Sequence, residues 1–130
     1  MSVTCTRSIS AGGIQLSKAK SLSPSDEGIV TGSITVSNGT TDALWNLGGI
    51  DVSQVVACYI ASDKAVTLET NATDASGGNT ITLAADVPYM WNTGSPDTLK
   101  LTTDVTKIYV TNASGSSATV SALVVQDGSP

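Results

Sequence analysis

The stretch "DVSQVVACYIASDKAVTLET", Asp51 to Thr70, decides how the chain is read. Its apolar residues do not recur at the three-and-four spacing of a helix. They alternate or run together briefly, stop at Ser62-Asp63-Lys64, and resume at Val66 and Leu68. Strand side chains project to opposite faces in turn, so the pattern is a strand, a tight turn and a returning strand. The longer apolar run of Val52–Ser62 suits a central strand buried on both faces.

A variant of the same phrase, "DVTKIYVTN", opens at Asp104, and "ASGSSATVSALV" completes a second strand–turn–strand. In each copy an Asp stands two residues before a hydroxyl. A carboxylate there accepts a backbone N–H just ahead of it and closes an Asx-type turn as the chain enters a strand. Two such hairpins imply two similar corners of one sandwich; the alternative is chance repetition in a Ser/Thr/Val-rich chain. Neither reading carries chemistry.

Alternation extends over the rest of the chain. Val3–Ile9, Ile29–Thr40 (ending at the turn dipeptide Asn38-Gly39), "ALWNLGG", "AVTLET", "TITLAA", "YMWNT", "LKLTT", "KIYVTN" and "TVSALVVQ" read as short strands. "NATDASGGN", "TGSPD" and "NASGSSA" separate them as turns. Only "SPSDE", Ser23–Glu27, has the capping Ser and early Pro of a single helical turn. Composition agrees: 18 Ser and 18 Thr replace charged residues, which make up 13% of the chain, and Glu occurs only twice. Thr fits a pleated surface and Ser competes with helix hydrogen bonds. The reading is all-β, one domain over 1–130, long enough to bury about two thirds of its unfolded surface.

The net charge is −5, and the six cations (Arg7, Lys18, Lys20, Lys64, Lys100, Lys107) are scattered along the chain. No run could neutralise successive phosphates, so nucleic acid is not an expected partner. No apolar run approaches the ~20 residues that span a bilayer, so no membrane association is expected. "MSVTCTRSIS" lacks the basic and apolar regions of a secretory signal, and synthesis in a cytoplasm is expected. Cys5 and Cys58 then read as buried thiols acting as small hydrophobes, with a bridge as the alternative if the protein ends up outside a cell. His is absent, which removes the usual activating base for a catalytic Cys.

The remaining candidates point to structure. Asp42, Asp51, Asp63, Asp74, Asp86, Asp97, Asp104 and Asp127 nearly all lie beside turn-forming residues; a glycosidase would need two of them converging in a cleft. "DASGGN", Asp74–Asn79, lacks the spaced carboxylates and terminal Glu of a calcium loop. The sequons at Asn38, Asn71 and Asn112 read as turns. Tyr89 and Trp91, at i and i+2, share a face and could form a sugar-binding platform. In a chain without Phe, packing in the core or at a subunit interface is the expected role of Trp45, Trp91, Tyr59, Tyr89 and Tyr109. No catalytic, cofactor-binding or metal-binding residue is assigned.

The succession "YIASDKAVTLETN", "ITLAADVPYMWNTGS" and "LTTDVTKIYVTNASGSSATVSALVV" resembles small virion proteins of tailed bacteriophages, in particular head decoration or cement proteins. The resemblance covers Asp51 to Asp127 and is carried by Ser62-Asp63-Lys64, Pro88–Trp91 and the Asp104-Val105-Thr106 corner. It implies a jelly-roll-like antiparallel β-sandwich that clamps the major capsid protein from outside the head, commonly as a homotrimer. With the strand pattern, the expected fold is a single antiparallel β-sandwich of nine or ten short strands. Residues 1–28 lie outside the resemblance, as an extended arm or as the first strands. The expected function is non-enzymatic, on the capsid exterior of a virion made in a host cytoplasm. A carbohydrate-binding adhesin or tail-fibre module is the alternative.

Overall fold

The computed structural model describes residues 2–25 and 27–128. It is all-β and antiparallel, with one 3-10 turn at Val52–Gln54 and no α-helix among the described residues. The strands are β1 (Val3–Ala11), β2 (Ile14–Leu22), β3 (Glu27–Val36), β4 (Thr40–Trp45), β5 (Val55–Ser62), β6 (Val66–Thr70), β7 (Thr80–Leu83), β8 (Tyr89–Asn92), β9 (Ile108–Asn112) and β10 (Ala118–Asp127). Two four-stranded sheets, ordered β3-β10-β5-β8 and β4-β9-β6-β7, share one apolar core in a sandwich-like arrangement. β1 and β2 form a separate two-stranded sheet.

Strand pairing within the two large sheets is nested. β6 pairs with β7, β5 with β8, β4 with β9 and β3 with β10. Contacts of β10 with β5 and of β9 with β6 complete each sheet. Every connection from β3 to β10 therefore changes sheet, except β6 to β7. The two strand–turn–strand units of the sequence are correspondingly not hairpins. β5 and β6 lie in different sheets, as do β9 and β10, and each turn is a corner between layers. The period-two pattern specifies which side of a strand is apolar, and this crossing satisfies it as well as a hairpin does.

The period also places the core. Along β10, Ala118, Val120, Ala122 and Val124 are buried while Thr119, Ser121 and Leu123 face outward. Each fully buried Val or Leu contributes roughly 1.5–3 kcal/mol of apolar transfer. Val125 breaks the alternation because a second, smaller cluster covers it from outside, with Cys5 and Ala57 at its centre. β5 is an interior strand but is only partly covered on its outer face, where Tyr59 is exposed.

Two local expectations are corrected, and one strand is found where the alternation marked none. "LKLTT" forms no strand: Leu101 is buried in the core, but Tyr89 Oη accepts Lys100 N at 2.8 Å and Asn79 Oδ1 accepts Thr102 N at 3.0 Å. Side chains take the amides that a neighbouring strand would have used. Ser23 and Pro24 are irregular and Glu27 already begins β3, so no helical turn forms there among the described residues; Asp26 lies outside them. Finally, "IQLSKAKSL" is a strand, β2, joined to β1 through Gly12 and Gly13 at φ 57° and 79°. Two consecutive positive φ values make the two-residue turn whose twist matches a hairpin.

Candidate functional site: the outer face of the first sheet and its hairpin

The repeated Asp-Val corners meet each other. Ile50 and Val105 form an isolated bridge, and Val52 N donates to Asp104 Oδ1 at 2.9 Å. Asp51 closes the expected Asx turn, accepting Ser53 N at 3.0 Å and Ser53 Oγ at 2.6 Å. Asp104 does not close one on itself. Asn71 Oδ1 takes the Thr106 amide instead, at 2.8 Å, while Asn71 Nδ2 donates to Asp104 O and Gly77 O. The two phrases are one clamp at one end of the sandwich.

Other carboxylates have comparable tasks. Asp63 Oδ1 accepts Thr119 N at 2.8 Å, and Asp74 Oδ1 accepts Ser76 N at 2.9 Å. Among the described residues no three His, Cys, Asp or Glu side chains converge as metal ligands. Asp63 and Asp86 do meet at one place, an open cleft of about 390 Å³ that Tyr59, Ala61, Pro88 and Thr119 also line.

All three sequon asparagines hold turns. Asn38 Oδ1 accepts Gly115 N at 2.9 Å, Asn71 binds as above, and Asn112 is fully buried. The aromatic residues divide into two groups. Trp45 and Tyr89 are buried and Trp91 packs half-buried against the core, its Nε1 donating to Asp97 O at 3.0 Å. Burial pushes the Tyr89 phenol up, and the hydrogen bond from Lys100 pulls it partly back. Tyr89 and Trp91 share a face, as their spacing requires, but that face is the inner one and presents no open sugar platform. Tyr59 and Tyr109, expected in packing roles, are exposed and half-buried in the isolated chain.

Cys5 and Cys58 are free thiols on opposite faces of the first sheet, Cys58 in the main core and Cys5 beneath the hairpin. Burial raises Cys58 from its ordinary 9.0 to about 12; it also raises Cys5, which the Arg7 charge partly offsets. Because the folded Cys58 value lies above the unfolded one, its protonated thiol stabilises fully below about pH 9. That contribution is lost as pH climbs toward about 12. Alkaline urea melts should show this loss and Cys58→Ala should flatten it; an unchanged slope would show that the thiol titrates freely in the fold.

The distinctive surface is the β1–β2 hairpin. Val3↔Leu22, Cys5↔Lys20, Arg7↔Lys18, Ile9↔Leu16 and Ala11↔Ile14 are directly opposed, so these residues share one face. The other face is Thr4, Thr6, Ser8, Ser10, Gln15, Ser17, Ala19 and Ser21, nearly all polar. At the base, Val3, Cys5 and Leu22 pack on Ala57, Val125 and Met90 of the first sheet. Arg7 Nη2 then donates to Met90 O at 2.9 Å and Ser95 Oγ at 3.0 Å, pinning the hairpin across the β8 edge. Beyond that pin, Ile9, Ile14 and Leu16 are 66–69% exposed. The hairpin face also gathers three of the chain's six cations, which are scattered in the linear sequence. The missing signal was register: Arg7, Lys18 and Lys20 converge only once Gly12-Gly13 is read as a turn.

The outer face of the first sheet continues from the hairpin base. Leu123 opposes Tyr59, which opposes Met90, and Val125 opposes Ile29. Ile29, Leu123 and Tyr59 are 41–49% exposed, and the cleft with Asp63 and Asp86 lies at the far end of this strip. Compared with protein-family models, curated proteins and solved structures, the chain matches none.

Proposed function

We propose that the chain is a non-enzymatic capsid decoration protein, a jelly roll that binds the outside of a phage head and stabilises it, self-associating as a homotrimer. One observation carries this reading. Asp51 and Asp74 hold turns and Asp63 braces the Thr119 amide, whereas among the described residues the most exposed large apolar side chains stand together on one projecting hairpin. Such a surface is suited to being gripped. Support for the jelly roll comes from the nested pairing of β3 through β10, a single long ribbon folded at β6–β7 and wrapped into two sheets. Support for the virion setting is the resemblance over Asp51–Asp127.

Binding to a repeated lattice lets several modest contacts act together within one oligomer, so no deep pocket is required. Antibody labelling or cryo-electron microscopy of particles made in cells encoding this chain should place it on the head exterior. Location at the tail tip, or a specific signal on a glycan array lost in Trp91→Ala, would overturn the proposal in favour of an adhesin.

A further inference from the structure

We infer that the β1–β2 hairpin docks its tip on the outer face of the first sheet of a second copy of this chain, head to tail. Ile9 and Leu16 would lie on the Tyr59–Leu123 strip, with Lys18, two residues from Leu16 on the same face, toward Asp63 and Asp86. The inference rests on the self-association part of the proposed function and names its surface.

Three observations carry it. The first is continuity. The hairpin face that packs on its own sheet through Val3, Cys5 and Leu22 is the face that presents Ile9, Ile14 and Leu16 beyond the β8 edge. A second sheet placed beside β8 would receive the tip as the first receives the base. The second is fit. From Arg7 to Gly12 the hairpin extends roughly 17 Å past its pin, and Tyr59 to Asp63 spans roughly 13 Å along β5, at ~3.3 Å per residue.

The third is charge. Three cations and no acid precede Asp26, whereas the remaining chain holds three cations against all eleven acids, a formal −8. A basic hairpin on an acidic body of the same chain is complementary, and the acceptor cleft carries two of those acids. An anionic membrane surface fits less well. Half of the tip is a row of hydroxyls with no place in lipid, and the acidic body would be repelled. Donor and acceptor are different patches, so the contact is heterologous and closes as a ring when the rotation allows, three copies giving a trimer.

Sedimentation equilibrium of the full chain tests this. The wild type should exceed its 13.1 kDa monomer mass. Ile9→Ser/Leu16→Ser should associate about a hundredfold more weakly with an unchanged circular-dichroism melt, because both residues are exposed. Tyr59→Ser/Asp63→Asn/Asp86→Asn, which keeps an acceptor for Thr119 N, should behave the same way. Mixed, the two variants should form a one-to-one complex, since one retains an intact cleft and the other an intact tip. A monomeric wild type, a tip variant that assembles normally, or a mixture that stays monomeric would each overturn the inference. So would a monomeric wild type that co-sediments with anionic phospholipid vesicles through Ile9 and Leu16. Binding to phage heads is read separately: assembly without head binding removes the capsid reading and leaves this contact standing.

Discussion

Replacing Asn112 by Ala should cost about 3 kcal/mol of folding stability and lower the melting temperature by roughly 10 °C. The side chain has no solvent exposure and four partners. Its Nδ2 donates to Val36 O at 2.9 Å and Ser116 O at 2.8 Å, and its Oδ1 accepts Ser114 N at 3.0 Å and Ser114 Oγ at 2.7 Å. It joins the end of β9 to the end of β3 and organises the corner into β10. Alanine would remove all four hydrogen bonds at a site without solvent exposure, and a polar group left unpaired there costs more than the made bond contributes. Asn112→Asp should be at least as damaging, because a buried carboxylate would face two carbonyl oxygens. Thermal unfolding followed by circular dichroism measures both. A loss below about 1 kcal/mol for Asn112→Ala would show that the corner relaxes to admit water.

Gly78→Ala should be comparably severe, at about 3 kcal/mol, for a steric reason. A Cβ at this position would drive into the carbonyl oxygen of Thr70 and come within 2.8 Å of its carbonyl carbon. Thr70 is buried and cannot retreat. Its amide donates to Asn79 O at 2.9 Å and its hydroxyl accepts Asn79 N at 2.7 Å, the bonds that close the β6–β7 loop. The neighbouring Gly77 makes the control. It has φ +71° with nothing within 4 Å of an added methyl group, so Gly77→Ala should cost only the left-handed backbone penalty of about 1 kcal/mol. Denaturant unfolding of both variants separates the mechanisms. Equal losses would refute the clash.

The fold was legible wherever one side of a strand faces the core. Val120, Ala122 and Val124, or Val66 and Leu68, alternate because they must, and their strands appear where the alternation lies. Legibility failed for β2, whose hairpin face holds Lys18 and Lys20 where a core strand would hold apolar residues. It failed for Leu99–Thr103 in the opposite sense, since Leu99 and Leu101 mimic a strand while side chains of Tyr89 and Asn79 satisfy the backbone. It stopped at Ser62-Asp63-Lys64 as well: a local pattern gives strand–turn–strand, but whether β6 lies beside β5 or across from it depends on β10 and β9, far along the chain. The candidate surface was hidden for a related reason. Arg7, Lys18, Ile9 and Leu16 form a patch only through the pairing of β1 with β2, whose second strand has no core-facing signature.

Nested pairing also has a consequence for biosynthesis. Within the two four-stranded sheets only β6 and β7 can zip as neighbours during translation; β5 must wait for β8, β4 for β9, and β3 for β10. Each successive closure spans a longer stretch of polypeptide and carries a larger loop entropy, which slows folding of such topologies. The earliest sandwich strand to leave the ribosome is thus the last to find its partner, and β10, wedged between β3 and β5, is the keystone whose arrival turns an open ribbon into a solid particle.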